Sequence, residues 1–183
     1  CSAPPRAPPP CPPTPLPTFN LAGDTRHASQ RALDPAPAEH RTGIRFLVAS
    51  MPPRDLKSLT SDFLLDQTRY AYKAFRKSAW ADQVPEAVFF NDVLPYASIN
   101  ERRDNWRADF YKRFTPVVKA AKTPGEAATL LNRAIFGQVK VRYSTARPKA
   151  DQSPYESIEA GLASCTGLSV LLIDACRAVG VPA

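Results

Sequence analysis

GLASCTGLSVLLIDACRAVGVPA, residues 161–183, is the stretch on which the reading of the chain turns. Leu168, Leu171, Leu172, Ala175, Cys176 and Val179 share one face at helical spacing, and Val170 and Ile173 carry apolar character toward the other side. A helix apolar over most of its circumference expects burial on several sides. Its end is marked by Arg177 in the last turn, then by Gly180 and Pro182. Its start falls at Cys165, within Ala163-Ser164-Cys165-Thr166-Gly167. A thiol in that position lies at the positive end of a helix dipole, which favours a nucleophilic sulfur.

The remaining length allows one medium domain with a segment to spare. Nine of the 20 prolines lie between Pro4 and Pro17, and residues 1–40 hold few large apolar side chains. That composition reads as a proline-rich disordered tether. The chain starts with Cys1-Ser2-Ala3. A cysteine followed by such a tether resembles the mature start of a bacterial lipoprotein. The resemblance implies a cleaved signal peptide, a lipid on Cys1 and a membrane-anchored, periplasm-facing, extracytoplasmic protein. Several acyl chains hold such an anchor firmly, whereas one is marginal.

The net charge of +7 (24 basic against 17 acidic residues) gives a mild affinity for anionic surfaces, cell-wall polymers included. No basic run is interleaved with aromatics, so nucleic acid is not an expected partner. No apolar stretch reaches the length of a membrane span. The four cysteines do not read as a disulfide framework. Cys1 and Cys11 are held apart by stiff proline-rich chain. Cys165 and Cys176 lie about 16 Å apart along one helix, too far to bridge. Two histidines, His27 and His40, with no cysteine cluster beside them, support no metal site, and no cofactor is expected.

From Arg41 the character changes. Ile44, Phe46 and Val48 alternate as a strand does, although the same run can open a helix. Residues 58–80 carry an amphipathic stripe of Phe63, Leu64, Gln67, Tyr70, Ala71, Ala74 and Phe75, with Thr60 or Ser61 as its cap. A short helical turn runs through Val88, Phe89 and Phe90. A further helix from about Asp104 places Trp106, Phe110 and Phe114 on one side, with a restart at Thr115-Pro116. Thr123-Pro124-Gly125-Glu126 reads as a capping box with proline at the first helical position, opening a helix to Gly137. Val139, Val141 and Tyr143 alternate as a short strand. Ser153-Pro154-Tyr155-Glu156 repeats the capping device for a brief helix ending near Gly161. The final helix finds no equally apolar partner among these segments, so its cover is expected from a sheet that follows it.

Residues 153–183 resemble the transglutaminase-like domain of the papain-like cysteine superfamily. The likeness rests on Cys165 at the helix head, on Thr166-Gly167-Leu168-Ser169 after it, and on the ending Arg177-Ala178-Val179-Gly180-Val181-Pro182-Ala183. Ala163 stands where members often carry glycine. Residues 55–137 are similar to the helical subdomain that precedes this core in some bacterial members. The resemblance implies an α+β fold in three parts: a tether over 1–40, a helical subdomain over 41–137, and the first part of a transglutaminase-like core over 138–183, its sheet largely outside this chain.

It also implies a role. Cys165 would attack a carboxamide or peptide carbonyl to form a thioester that water or an amine resolves, making the protein a protease, amidase or cross-linker of protein or peptide substrates. The chemistry needs a histidine base, an Asp or Asn to orient it, and amide donors for the oxyanion. In the family, histidine and acid lie on strands after the helix, so the chain as given is expected to be an inactive fragment. The alternative is a non-catalytic binding or scaffold domain on the same fold.

Other residues read more plainly. Cys176 belongs to the core, as do Trp80 and Trp106. His27 and His40 read as exposed linker histidines. Asp174, nine residues past Cys165 and on the opposite side of the helix, reads as a surface or helix-packing residue. Glu101, Arg102, Arg103 and Asp104 read as a solvated charged run. Gln152 lies upstream of the cysteine, as an oxyanion glutamine does in papain relatives, but its spacing differs and it is not assigned that role.

Overall fold

The computed structural model describes residues 32–183. The readings of Cys1, Cys11, His27 and residues 1–31 of the tether lie outside the described residues.

The first helix, α1 (Ala38–Ser50), settles the open run at Ile44. Ile44, Leu47 and Val48 are buried together at i, i+3 and i+4, the spacing of a helix face. Ala32 and Ala36 are also buried, so packed chain extends upstream of Arg41. After α2 (Pro53–Ser58) comes α3 (Ser61–Lys77), the amphipathic helix, whose buried residues are Phe63, Leu64, Gln67, Thr68, Ala71 and Ala74. Thr60 is its cap, its Oγ1 accepting from the amide of Phe63 at 3.2 Å. At the other end the Ser78 hydroxyl donates to Phe75 O at 2.7 Å and stops the helix short of Trp80.

A short α4 (Glu86–Val88) runs into a π-helical turn, Phe89–Val93, closed by the amide of Leu94 on Phe89 O at 2.9 Å. The wider turn places the carbonyls of Val93 and Leu94 where α5 (Arg107–Phe114) can use them. The expected restart at Thr115-Pro116 does not form. The Thr115 hydroxyl bonds back to Tyr111 O at 2.6 Å, and turns follow over 115–120. In α6 (Pro124–Val139) Thr123 caps Glu126, while the Glu126 carboxylate accepts from Lys122, one residue ahead of a standard box.

The strand expected from Val139 is shorter than its alternation suggests. Val139 ends α6, Lys140 turns the chain in the left-handed region at φ 56°, and β1 holds only Arg142–Tyr143. Its parallel partner β2 (Leu162–Ala163) pairs Arg142 with Leu162 and Tyr143 with Ala163. Between them lies α7 (Pro154–Ala160), opened by a complete capping box of Ser153 and Glu156 and ended by Gly161 at φ 64°. The last element is α8 (Cys165–Ala178). The described residues thus form a mainly helical scaffold with one two-stranded parallel sheet, an α+β arrangement.

Two apolar clusters fill it. One gathers α1 and the first half of α3 with Phe89, Val93, Leu94 and Tyr96. The other gathers α5, α6, the sheet and α8, with Trp80 at 2 % and Trp106 at 1 % exposure, as their stripes predict. Contrary to expectation, α8 is well partnered within the described chain. It packs on α5 most extensively, and on α6, α7 and α3. Its buried face is rotated from the one the leucines mark. Val170, Leu171, Asp174, Ala175 and Ala178 face inward, while Leu168 and Leu172 are half-buried.

Candidate functional site

Cys165 is the first residue of α8 and is exposed, with a free thiol. Cys176, three turns on, is also free but only 4 % exposed, and burial pushes its thiol up to about 12. The two cysteines therefore differ in kind: one faces solvent at a helix head, the other is core.

Local geometry explains why the helix begins at the cysteine. Ser164 is its N-cap: the Ser164 hydroxyl accepts from the amide of Gly167 at 3.0 Å and donates to Ala150 O. The Leu168 amide reaches Ser164 O at 2.9 Å. The amides of Cys165 and Thr166 are the first-turn donors the cap leaves open. Beneath the turn, Gln152 is 1 % exposed and its Nε2 donates to Leu162 O at 2.9 Å and Glu156 O at 3.3 Å. Those bonds engage its amide nitrogen with the backbone of the loop floor. The sheet adds bonds from the Arg142 amide to Gly161 O and from the Ser144 amide to Ala163 O.

Histidine is not brought to this thiol. His40, the one histidine among the described residues, lies on α1, ring to ring with Tyr72 at 4.8 Å and with Nε2 3.4 Å from Glu39. Burial holds its pKa below the ordinary value, with Glu39 pulling the other way. Only 12 % of its side chain is exposed, so it is a packed helix residue and not the exposed linker histidine its composition suggested. No group of three or more His, Cys, Asp or Glu residues that could hold a metal ion occurs among the described residues.

The charged run at 101–104 is not a solvated face. Glu101 is 3 % and Asp104 7 % exposed. The Glu101 carboxylate accepts from the amides of Ser98 and Ile99, at 2.7 and 2.8 Å. Arg103 donates to Asp55 at 2.9 Å, where the Tyr96 hydroxyl also ends. Asp104 accepts from Arg102 at 2.7 Å and from the Tyr155 amide at 3.0 Å, which ties the first turn of α7 to the lead-in helices. Each of these buried carboxylates is satisfied, Glu101 by backbone amides, Asp55 by side-chain donors and Asp104 by one of each.

The far end of α8 is anchored by Arg177, which reads in sequence only as part of the helix stop, and by Arg107, which the sequence did not single out. Arg177 donates to the carbonyls of Asp92, Ala97 and Ala183 and to the Ser98 hydroxyl. Arg107 is fully buried between the two clusters and also donates to Arg177 O. Asp174 lies inside with them, 0 % exposed, and neither carboxylate oxygen has a hydrogen-bond partner. Burial pushes its carboxyl well above the usual range. Arg177 pulls it back, Glu101 adds to the push, Arg107 pulls back less, and Asp104 adds to the push again. Of its two sequence readings, helix packing holds and surface does not.

A raised folded-state pKa sets the sign of a pH effect. The unfolded carboxyl releases its proton near about pH 4, the folded one later, so stability is greatest below that value and falls as pH climbs toward the folded pKa. Asp174→Asn removes this slope. The gap in urea midpoint between variant and wild type should widen in the variant's favour from pH 4 to pH 8; parallel curves would count against the assignment.

These observations define a solvent-facing thiol at the head of a buried helix, on a mainly helical α+β scaffold. Residues 112–183 match the model of the transglutaminase-like superfamily. The match begins within α5 and takes in α6, the sheet, α7 and α8. No curated protein and no solved structure matches the chain.

Proposed function

We propose that Cys165 is the nucleophile of a thiol-dependent acyl transfer on amide or peptide bonds, carried on the first part of a papain-like core. The observation that supports this most directly is its place: an exposed sulfur on the first residue of α8, inside the segment that matches the family. The sulfur attacks the carbonyl carbon, a C–S bond forms, and the C–N bond breaks as the amine leaves with the proton a base took from the thiol. Water or a second amine then cleaves the thioester, giving hydrolysis or cross-linking. The open amides of Cys165 and Thr166 are suited to the oxyanion. His40 is held on α1, so the base must come from outside the described residues.

The cargo is a protein or peptide. Lipidation of Cys1 would place the domain on the outer side of a bacterial membrane. No described helix is long and apolar enough to cross one.

The test uses the full-length gene product with casein as acyl donor and dansylcadaverine as amine. Amine incorporation or release of new carboxylates is expected, with a thioester at Cys165 by mass spectrometry. Cys165→Ser should lower turnover at least about a thousandfold. Turnover that survives the substitution overturns the proposal. A full-length protein that folds but forms no thioester would instead favour a non-catalytic binding or scaffold domain.

A further inference from the structure

The first turn of α8 rests on buried polar side chains from the segment just before β2, and one of them is built at a cost. Gln152 gives its Nε2 to Leu162 O and Glu156 O, while its Oε1, equally buried, has no partner. An unpaired buried amide oxygen is destabilising, since it has given up its hydration for no partner. An apolar side chain of similar volume would avoid that orphan, so the two donated bonds do something packing alone does not.

What they hold is specific. Leu162 O lies three residues ahead of Cys165, in the strand that hands the chain to α8. Two residues upstream of Gln152, Ala150 O receives the hydroxyl of the cap Ser164. Gly167 closes the turn directly over this floor. A Cβ there would lie 3.2 Å from Ala163 Cβ, 3.4 Å from Ser157 Oγ and 3.5 Å from Gln152 Cβ. The backbone leading into Cys165 is thus held by the sheet at Gly161 O and Ala163 O, by the cap on Ala150 O, and at Leu162 O by the Gln152 side chain.

We propose that Gln152 is a positioning residue for Cys165: by fixing Leu162 O it sets the direction in which β2 enters α8, and with it the place of the open Cys165 amide relative to the sulfur. The inference rests on the acyl-transfer reading of Cys165, and its test is separate from turnover.

Two reactions of the same sulfur make that test. The 183-residue chain carries Cys1→Ser and Cys11→Ser, which leaves Cys165 as the exposed thiol beside the buried Cys176. With p-nitrophenyl acetate, the sulfur attacks the acetyl carbon, the C–S bond forms, p-nitrophenolate leaves and the thiol proton goes to buffer. Negative charge builds on the carbonyl oxygen, where a placed amide helps. With iodoacetamide the sulfur displaces iodide from a methylene carbon and no oxyanion forms. Gln152→Met should lower acylation about tenfold and alkylation less than about twofold. A role limited to stability or exposure moves both rates together. A ratio of acylation to alkylation equal to that of wild type overturns the proposal. Should Gln152→Met not fold, Gln152→Asn keeps an amide that stops short of Leu162 O and is read the same way. A wild-type thiol that alkylates but never acylates overturns this proposal and the acyl-transfer reading together, whereas a changed ratio with no amide turnover in the full-length protein sinks only the latter.

Discussion

Replacing Arg107 with methionine is expected to destabilise the fold by about 3–5 kcal/mol, because several buried acceptors lose their donor at about 1–3 kcal/mol each. All five of its N–H donors are used. Nε bonds Gln67 Oε1 at 2.9 Å, Nη1 bonds the carbonyls of Val93 and Arg177, and Nη2 those of Leu94 and Pro95, none beyond 3.1 Å. The guanidinium also lies over the Trp106 ring, 4.5 Å from its centroid. It thereby joins α3, the π turn and the end of α8 through one planar group. Burial and the neighbouring Arg177 pull its pKa down to about 9, Asp174 opposing them, which leaves it charged at neutral pH.

Methionine fills the space and supplies no donor, so four backbone carbonyls lose a buried partner at once. Lysine would not restore them, since an ammonium has three donors without the planar fork. Urea denaturation followed by far-UV circular dichroism reads the loss directly. An Arg107→Met protein within about 1 kcal/mol of wild type would mean the carbonyls find other donors and the clamp is incidental.

Gly180→Ala carries the second large effect, expected at about 2–4 kcal/mol. Gly180 sits at φ 82°, where a side chain strains the backbone. Its added Cβ would lie 2.8 Å from Phe75 Cα, 2.9 Å from Phe75 N and 3.0 Å from Ala74 C. Those are backbone atoms of α3, which no rotamer change moves aside. The chain after α8 would have to lift from α3, breaking the 2.7 Å bond from Trp80 Nε1 to Gly180 O. Tryptophan fluorescence should report that break alongside the lower denaturation midpoint. Gly137→Ala is the matched control. It lies within α6 with nothing within 4 Å of the new methyl, so it should stabilise by about 0.5–1 kcal/mol. Equal effects at the two glycines would exclude the close approach as the cause.

Both predictions bear on one question, how the end of α8 is held so that its head presents Cys165. The ending Arg177–Ala183 reads in sequence as a helix stop. In the fold each part of it also has a tertiary partner: Arg177 reaches the carbonyls of Asp92 and Ala97, Gly180 presses on Phe75, and the amide of Ala183 bonds Asp92 O at 3.0 Å. A residue pattern that stops a helix is the same pattern that docks it.

Arg107 shows where reading residues in order runs out. It shares a face with Phe110 and Phe114 at i, i+3 and i+7, so the spacing that marks those aromatics as core marks it too. A charged side chain defaults to solvent because burial without partners is prohibitive. Its partners are carbonyls from residues 93–95 and 177, which no local window contains. Glu101 differs, since the amides that satisfy it belong to Ser98 and Ile99, and Asp174 is buried with no hydrogen-bond partner on either oxygen. His40 is the converse: a composition that suggested exposed chain ends in a helix packed on Tyr72.

Helix periodicity, the caps at Thr60, Thr123 and Ser153, the core tryptophans and the place of Cys165 at a helix head were written in the residues themselves, because they depend on side chains within a few positions of one another. Which face of α8 turns inward, what covers it, and which charges are buried were decided only in three dimensions. Those outcomes depend on backbone carbonyls and helix surfaces brought together from segments dozens of residues apart, and the free energy of pairing them exists only once the chain has closed.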